Sequence, residues 1–324
     1  MQNRKSFLNT LGIVSAGALF TSGMTVPAPQ RNAEPVRTEP GGKSTAKRSL
    51  RVAHLTDIHI KPEKIAEHGM RSALQTVSEM ADKADFIING GDAIMNSVGA
   101  TKSLVQQQWS AYHNIFKAEN TLKTYNCIGN HDLFGWMLPS ADHADGKKWA
   151  MDEYGMAKEY YSFDQNGWKF IVLDSIHPRK SVPGYYGKLD EEQFFWLRDE
   201  LRNTPVETHV CIVSHIPILA ICCLFDKGIM NFNQLQISDN NMHADGNQLA
   251  ELFYASGNVR ACLSGHIHLI DYVNYLGTEY YCNGAVAGGW WNGNHQQFAP
   301  AYAVMNFNED GTTSREVHYY KWKA

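Results

Sequence analysis

The sequence predicts an α/β fold built from parallel βαβ units. Three observations carry this. Short apolar runs of strand length alternate with stretches of helical periodicity. The runs are continuously apolar, as buried strands are. Five of them end abruptly in Gly, Asp, Asn, Ser or His, and in parallel α/β sheets ligands gather beyond the carboxyl ends of the strands.

The chain has 324 residues, 44% hydrophobic and 19% charged, which is material for one large domain or two small ones. A formal net charge of -4 argues against a general nucleic-acid binder. It leaves a phosphate substrate open, because metals can supply positive charge locally.

Residues 1–24 are expected to be a signal segment. Arg4-Lys5 precedes an apolar run over residues 11–20, too short to span a bilayer. The order Arg-Lys-x-Phe-Leu resembles a twin-arginine signal with Lys5 in the second Arg position, so the export route stays open. No Cys lies there to carry a lipid anchor. Pro27, Pro29, Pro35, Pro40, Gly41 and Gly42 mark a linker over 25–48, and the catalytic domain is placed at 49–324. The expected location is periplasmic or extracellular, with no membrane association beyond the signal.

A β run over 50–56 ends at Asp57. A helix follows over about 64–83, with Met70, Ala73, Leu74, Val77 and Met80 at helical spacing. Strand 86–88 ends at Gly90-Gly91-Asp92; helix 102–119 carries Val105, Trp109, Tyr112 and Phe116 on one face; strand 124–128 delivers Gly129-Asn130-His131-Asp132. Residues 133–158, with Trp136, Pro139, His143 and Trp149, read as a loop or short helices over the site. Asn166-Gly167 predicts a hairpin of 160–163 with 168–173. Helix 190–201 opens with a capping-box pattern, Asp190 and Gln193. Strand 209–213 ends at Ser214-His215-Ile216-Pro217, and an irregular excursion follows over 218–246. A short helix spans 248–254, strand 259–263 ends in Gly265-His266-Ile267-His268, and antiparallel strands close the chain at 270–275, 279–282, 303–307 and 316–322.

Cys127, Cys211 and Cys262 fall inside core strands and behave as small buried hydrophobes, whereas the state of Cys222, Cys223 and Cys282 is open. His54, His113 and His209 lie within elements and are not counted as ligands.

The motif ends supply Asp57, His59, Asp92, Asn130, His215, His266 and His268, the donor set of a two-metal centre. On a strand, residues two apart point the same way, so Asp57 with His59, and His266 with His268, are expected to hold metal without distortion. Asp92 could bridge two ions through both oxygens. Oxygen and nitrogen donors without Cys suit two divalent transition metals, Mn, Fe, Zn or Co. Two such ions, less the charges of Asp57, Asp92 and a hydroxide, leave positive charge matched to a phosphoryl group.

In this order the motifs resemble the calcineurin-like metallophosphoesterase superfamily, from Leu55 to His268. The resemblance implies a four-layer α/β/β/α sandwich, two mixed β-sheets flanked by helices. It implies Asp57, His59 and His268 at a first metal, Asn130, His215 and His266 at a second, and Asp92 between them. His131 would assist the leaving group and Asp132 would orient His131. Purple acid phosphatases carry a Tyr where Met95 stands, and protein Ser/Thr phosphatases a Gly-Asp-x-x-Asp-Arg-Gly absent here. The motifs look most like the cyclic-nucleotide and glycerophosphodiester phosphodiesterase branch. The expected activity is hydrolysis of a small phosphodiester by a metal-generated hydroxide attacking in line. A broad phosphomonoesterase on the same centre is the alternative, and a non-catalytic scaffold or a nuclease fits less well. The Gly288-Gly289-Trp290-Trp291 segment, with His295, either walls the substrate pocket or is a packed aromatic turn.

Overall fold

The computed structural model describes residues 45–135, 143–179, 182, 184–225, 230–231, 234–320 and 322. The expected signal segment, the linker up to residue 44, Trp136 and Pro139 lie outside the described residues.

In chain order the elements are β1 (Arg48–Leu55), α1 (Lys64–Glu79), β2 (Phe86–Asn89), α2 (Lys102–Glu119), β3 (Thr124–Asn126), α3 (His143–Tyr154), β4 (Tyr161–Gln165) and β5 (Trp168–Val172). Then follow β6 (Ile176–Pro178), β7 (Tyr185–Gly187), α4 (Glu191–Asn203), β8 (His209–Val213), β9 (Met230–Asn231) and β10 (Gln234–Leu235). The chain ends with α5 (Gly246–Ser256), β11 (Val259–Ser264), β12 (Ile270–Tyr275), β13 (Thr278–Asn283), β14 (Tyr302–Asn308) and β15 (Thr313–His318).

Parallel pairing of β1, β2 and β3 realises the strand–helix alternation of the first half. β14 and β15 add to the other side of β1 in antiparallel fashion, giving the order β15-β14-β1-β2-β3. The second large sheet runs β12-β13-β11-β8-β5-β4, parallel at its centre and antiparallel at both edges.

Side-chain alternation sets the layers. On β1, Leu50 and Val52 enter a core shared by the two sheets, while Ala53 and Leu55 pack with residues of α1 and α2. On β5, Phe170 and Val172 enter the inter-sheet core and Ile171 packs with α4 and α5; Cys211 and Val213 against Val210 and Ile212 repeat the pattern on β8. Both sheets are therefore apolar on both faces, and the four-layer α/β/β/α sandwich follows. Asn166 and Gly167, both at positive φ (45° and 81°), turn the β4–β5 hairpin as expected.

The last strand differs from expectation: it spans Thr313–His318, in register with β14, and not 316–322. Of the two readings open for residues 133–158, short helices hold at 143–154, which form the three-turn helix α3. Its helical pattern is weak because Gly146 and scattered charges interrupt it, and tertiary contacts hold it: Trp149 and Tyr154 pack on the α1–α2 core and Lys147 pairs with Asp174. At α4 only half the capping box forms. Asp190 accepts from the Gln193 N–H at 2.8 Å, but the Gln193 side chain bonds instead to the main chain of Asp174. All six cysteines are free and buried; Cys222, Cys223 and Cys282 share one apolar cluster. Among the described residues no helix is long and apolar enough to cross a membrane.

Candidate metal centre

The five motif ends converge at one edge of the two sheets, just past β1, β2, β3, β8 and β11. Asp57, His59 and His268 form one buried cluster, Asp92 and His215 form another with the half-buried His266, and a third group of His59, Asp92 and the half-buried His131 joins the two. In the first, His59 Nε2 lies 3.0 Å from His268 Nε2, and Asp57 Oδ1 lies 3.4 Å from His268 Nε2. In the second, His215 Nε2 is 3.3 Å from both Asp92 Oδ2 and His266 Nδ1, and 3.2 Å from Asn130 Oδ1. Asp92 Oδ2 also stands 3.6 Å from His59 Nε2, so this one carboxylate faces both clusters.

The pairing of Asp57 with His59 and His266 with His268 does not arise as strand alternation predicts. β1 ends at Leu55 and β11 at Ser264, and all four residues, with Asp92, have left-handed backbone: φ 55°, 47°, 69°, 60° and 56°. The expectation of undistorted strand ends is therefore corrected. Each such residue costs about 1 kcal/mol or more, strain of the kind found at functional sites. Neighbouring main chains hold it in place. Asp57 N–H donates to Gly91 O at 3.0 Å, His59 N–H to Asp92 O at 2.9 Å and Ala287 N–H to Asp57 O at 3.0 Å.

The imidazoles are oriented from behind. His215 Nδ1 donates to Gly90 O (2.8 Å), His266 Nε2 to Asn240 O (2.8 Å) and His268 Nδ1 to Gly288 O (2.6 Å). A carbonyl only accepts, so each outward nitrogen carries the hydrogen and a neutral ring turns a lone pair inward. Lone pairs of His215 and His266 then meet at 3.3 Å beside Asp92, His268 turns its lone pair to His59 Nε2 at 3.0 Å, and both Asp57 Oδ1 and His59 Nδ1 are fully buried with no hydrogen-bond partner. Only a cation or a shared proton reconciles such a convergence, so the donors present fit divalent metal ions.

The electrostatics agree. Burial works against ionised Asp57 and Asp92, but the surrounding imidazoles outweigh it and hold both carboxyls well below the usual range. Burial pushes His59 down, and His266 down to about 4. At His215 burial is outweighed by the Asp92 and Asp57 carboxylates, which raise its pKa to about 10. The site demands positive charge, which metal ions would provide in place of that proton.

His131 is half-buried at the rim, its ring edge-on to His59 at 4.6 Å. Its N–H donates to Asp92 Oδ1 at 2.7 Å and its Nδ1 to Met95 O at 2.6 Å. The hydrogen bonds of Asp132, expected to orient His131, go to other groups. The Asp132 carboxylate accepts from the N–H groups of Gly129 (2.8 Å), Asp92 (3.0 Å) and Ala93 (2.9 Å) and from Tyr154 Oη (2.9 Å). It stitches two ligand loops together. Burial and the Asp92 charge push its pKa up to about 7.

Sequence reasoning missed the supporting groups. Most act through main-chain carbonyls, which leave no side-chain signature. Thr56 Oγ1 donates to Asp57 Oδ2 at 2.7 Å. A buried relay of Ser214, His243 and Asp245, with contacts of 3.0 and 3.0 Å, ties the segment bearing Asn240 to the end of β8. It is too buried to meet a substrate. His54, His113 and His209 engage Asn283, Glu153 and the Glu309 carbonyl, outside the two clusters.

Close approach explains Gly265: a Cβ there would sit 2.0 Å from Thr56 Oγ1 and 2.2 Å from Asp57 Oδ2. Gly265→Ala is expected to displace Asp57, weaken metal binding and cost about 1–3 kcal/mol of stability. Isothermal titration with Mn beside thermal unfolding checks both; unchanged values would mean that Asp57 is not held through this contact.

A family model described as calcineurin-like phosphoesterase matches residues 50–269, the span that carries all the motif ends. The probable cyclic nucleotide phosphodiesterase of Rhodococcus erythropolis is 24% identical, over 70% of this chain and 67% of that protein. The 3′,5′-cyclic adenosine monophosphate phosphodiesterase CpdA of Escherichia coli (strain K12) is 22% identical, over 83% of this chain and 89% of its own. A dimetal phosphatase from Danio rerio superposes with a TM-score of 0.58 at 13% identity, over 85% of this chain and 100% of that one, a likeness of fold. The match spans two thirds of the chain, and a phosphoesterase centre is the chemistry that the buried Asp/His clusters within it suit: the chain belongs to the calcineurin-like phosphoesterase family.

Proposed function

We propose that this enzyme hydrolyses small phosphodiesters at a centre of two divalent cations. The observation that carries the proposal is Asp92 Oδ2, 3.6 Å from His59 Nε2 and 3.3 Å from His215 Nε2, one carboxylate standing between donors of two adjoining clusters. Asp57, His59 and His268 would hold one ion and Asn130, His215 and His266 the other, with Asp92 shared. Bound there, the ions would supply a nucleophile from water at neutral pH and positive charge for the phosphoryl oxygens.

The chain's own part is positional. Carbonyls of Gly90, Asn240 and Gly288 keep the imidazoles turned inward. Met95 O holds His131 by Nδ1, leaving Nε2 to face the ester; as the imidazolium it would pass a proton at Nε2 to the leaving oxygen. The relatives' names, cyclic nucleotide phosphodiesterases, support a diester over a monoester. Export is part of the same proposal and rests on Arg4-Lys5 and the apolar run that follows. N-terminal sequencing of native protein that still began at Met1 would contradict a cleaved signal.

The test uses metal-stripped protein, Mn added back, and bis(p-nitrophenyl) phosphate beside p-nitrophenyl phosphate. Metal-dependent turnover of the diester is expected. Turnover of the monoester alone would move the assignment to a phosphatase on the same centre, and silence on both with no metal bound would indicate a scaffold.

A further inference from the structure

The tandem tryptophans after β13 do two different things. Trp290 and Trp291 are both in the left-handed region, at φ 53° and 66°. A tight turn holds them: Trp291 N–H donates to Ala287 O at 2.9 Å and Gly289 N–H to Gly293 O at 2.9 Å. The turn needs its glycines, because a Cβ on Gly288 would lie 2.7 Å from Gly293 O and one on Gly289 2.8 Å from Asn294 O. Trp291 is the anchor. It is 1% exposed, its Nε1 donates to His59 O at 2.9 Å, and its ring fills the space beside Gly69.

Trp290 is not needed for that anchoring. The residue remains 37% exposed, with its indole 4.4 Å from the His268 ring at 33° and 6.1 Å from the His59 ring. His295 meets it edge-on at 5.2 Å and braces its plane. The same turn offers Gly288 O to His268 Nδ1, so it is the main chain of the turn, and not the indole, that orients this residue of the metal cluster. A bulky residue in the left-handed region is strained, and Trp290 still leaves more than a third of its surface open, unlike the anchor Trp291. Such strain, at the rim of a reactive centre, points to a ligand contact.

We infer that Trp290 is the stacking platform for a flat aromatic substituent of the phosphoester, a nucleobase in its biological form. The inference rests on the proposed phosphodiesterase function. Trp290 and His131 flank the same imidazole, His59, at 6.1 and 4.6 Å ring to ring. A phosphoryl group seated at the two clusters therefore has its ester substituent within reach of the indole. Stacking on an indole tolerates any planar base and sets affinity, not chemistry.

The test compares wild type, Trp290→Ala and Trp290→Phe on a ring-bearing diester, 3′,5′-cyclic AMP, and a ringless one, glycerophosphoethanolamine. Trp290→Ala is expected to raise KM for the cyclic nucleotide about 5- to 100-fold with kcat little changed, while KM for the ringless diester stays within about twofold. Trp290→Phe, still aromatic, is expected to recover most of the loss, and unchanged metal content and unfolding temperature show that the fold is intact. Equal effects on both substrates, no effect on the cyclic nucleotide, or wild-type turnover of the ringless diester alone would overturn the platform. If wild type hydrolyses no phosphoester, the functional proposal fails instead. Quenching of tryptophan fluorescence by AMP, compared between wild type and Trp290→Phe, then decides the platform by itself: a difference supports it and equal quenching overturns it.

Discussion

Asp92→Asn is expected to lower kcat/KM for a phosphodiester by at least about 10³-fold, equivalent to about 4 kcal/mol of lost transition-state stabilisation. The carboxylate faces both donor clusters and its second oxygen accepts the His131 N–H at 2.7 Å. The amide is nearly isosteric, so the fold is expected to survive, but it carries no charge and can present hydrogens where lone pairs are needed. His215, whose pKa the Asp92 carboxylate helps raise, loses its main counter-charge. Metal content by inductively coupled plasma mass spectrometry is expected to fall together with activity. A variant that retained two ions and full turnover would remove Asp92 from the shared position and with it the two-ion proposal.

Asp132→Ala is expected to destabilise the protein by about 3–5 kcal/mol, with a fall of the order of 10 °C in Tm. The substitution leaves the N–H groups of Gly129, Asp92 and Ala93 and the Tyr154 hydroxyl without their shared acceptor, in a place where the side chain is 2% exposed. Asp132→Asn keeps one acceptor oxygen and is expected to lose less. The ranking separates two roles. If Asp132 oriented His131, the Asn variant would lower kcat at unchanged Tm. If it ties the ligand loops together, Tm falls first and His131→Ala remains the more damaging change to kcat, by about 10²–10⁴-fold. Thermal unfolding and kinetics on the same three proteins decide it.

What the sequence by itself determined is the set of strands and the chemistry at their ends. Strands buried on both faces must be continuously apolar, so Phe86–Asn89 and His209–Val213 stood out, and an apolar run that stops at Asp or His marks the place where burial gives way to chemistry. Helical spacing announced α1 and α2 for the same reason, since one face of each must pack on a sheet. For α3 the choice between loop and short helix stayed open, because its helicity comes from contacts of Trp149 and Tyr154 with distant residues and not from its own periodicity.

Within the site, residue types were legible and conformation was not. Left-handed backbone at Asp57, His59, Asp92, His266 and His268 depends on hydrogen bonds from loops far away in sequence, which no local pattern encodes. Asp132, adjacent to His131 in the chain, turned its carboxylate toward main-chain donors at Gly129, Asp92 and Ala93 and the Tyr154 hydroxyl, which outcompete one imidazole. The tandem Trp290-Trp291 could not be divided by sequence into anchor and rim. Only the tertiary structure, by burying one indole beside Gly69 and leaving the other over His268, gave the two rings different environments and so different work.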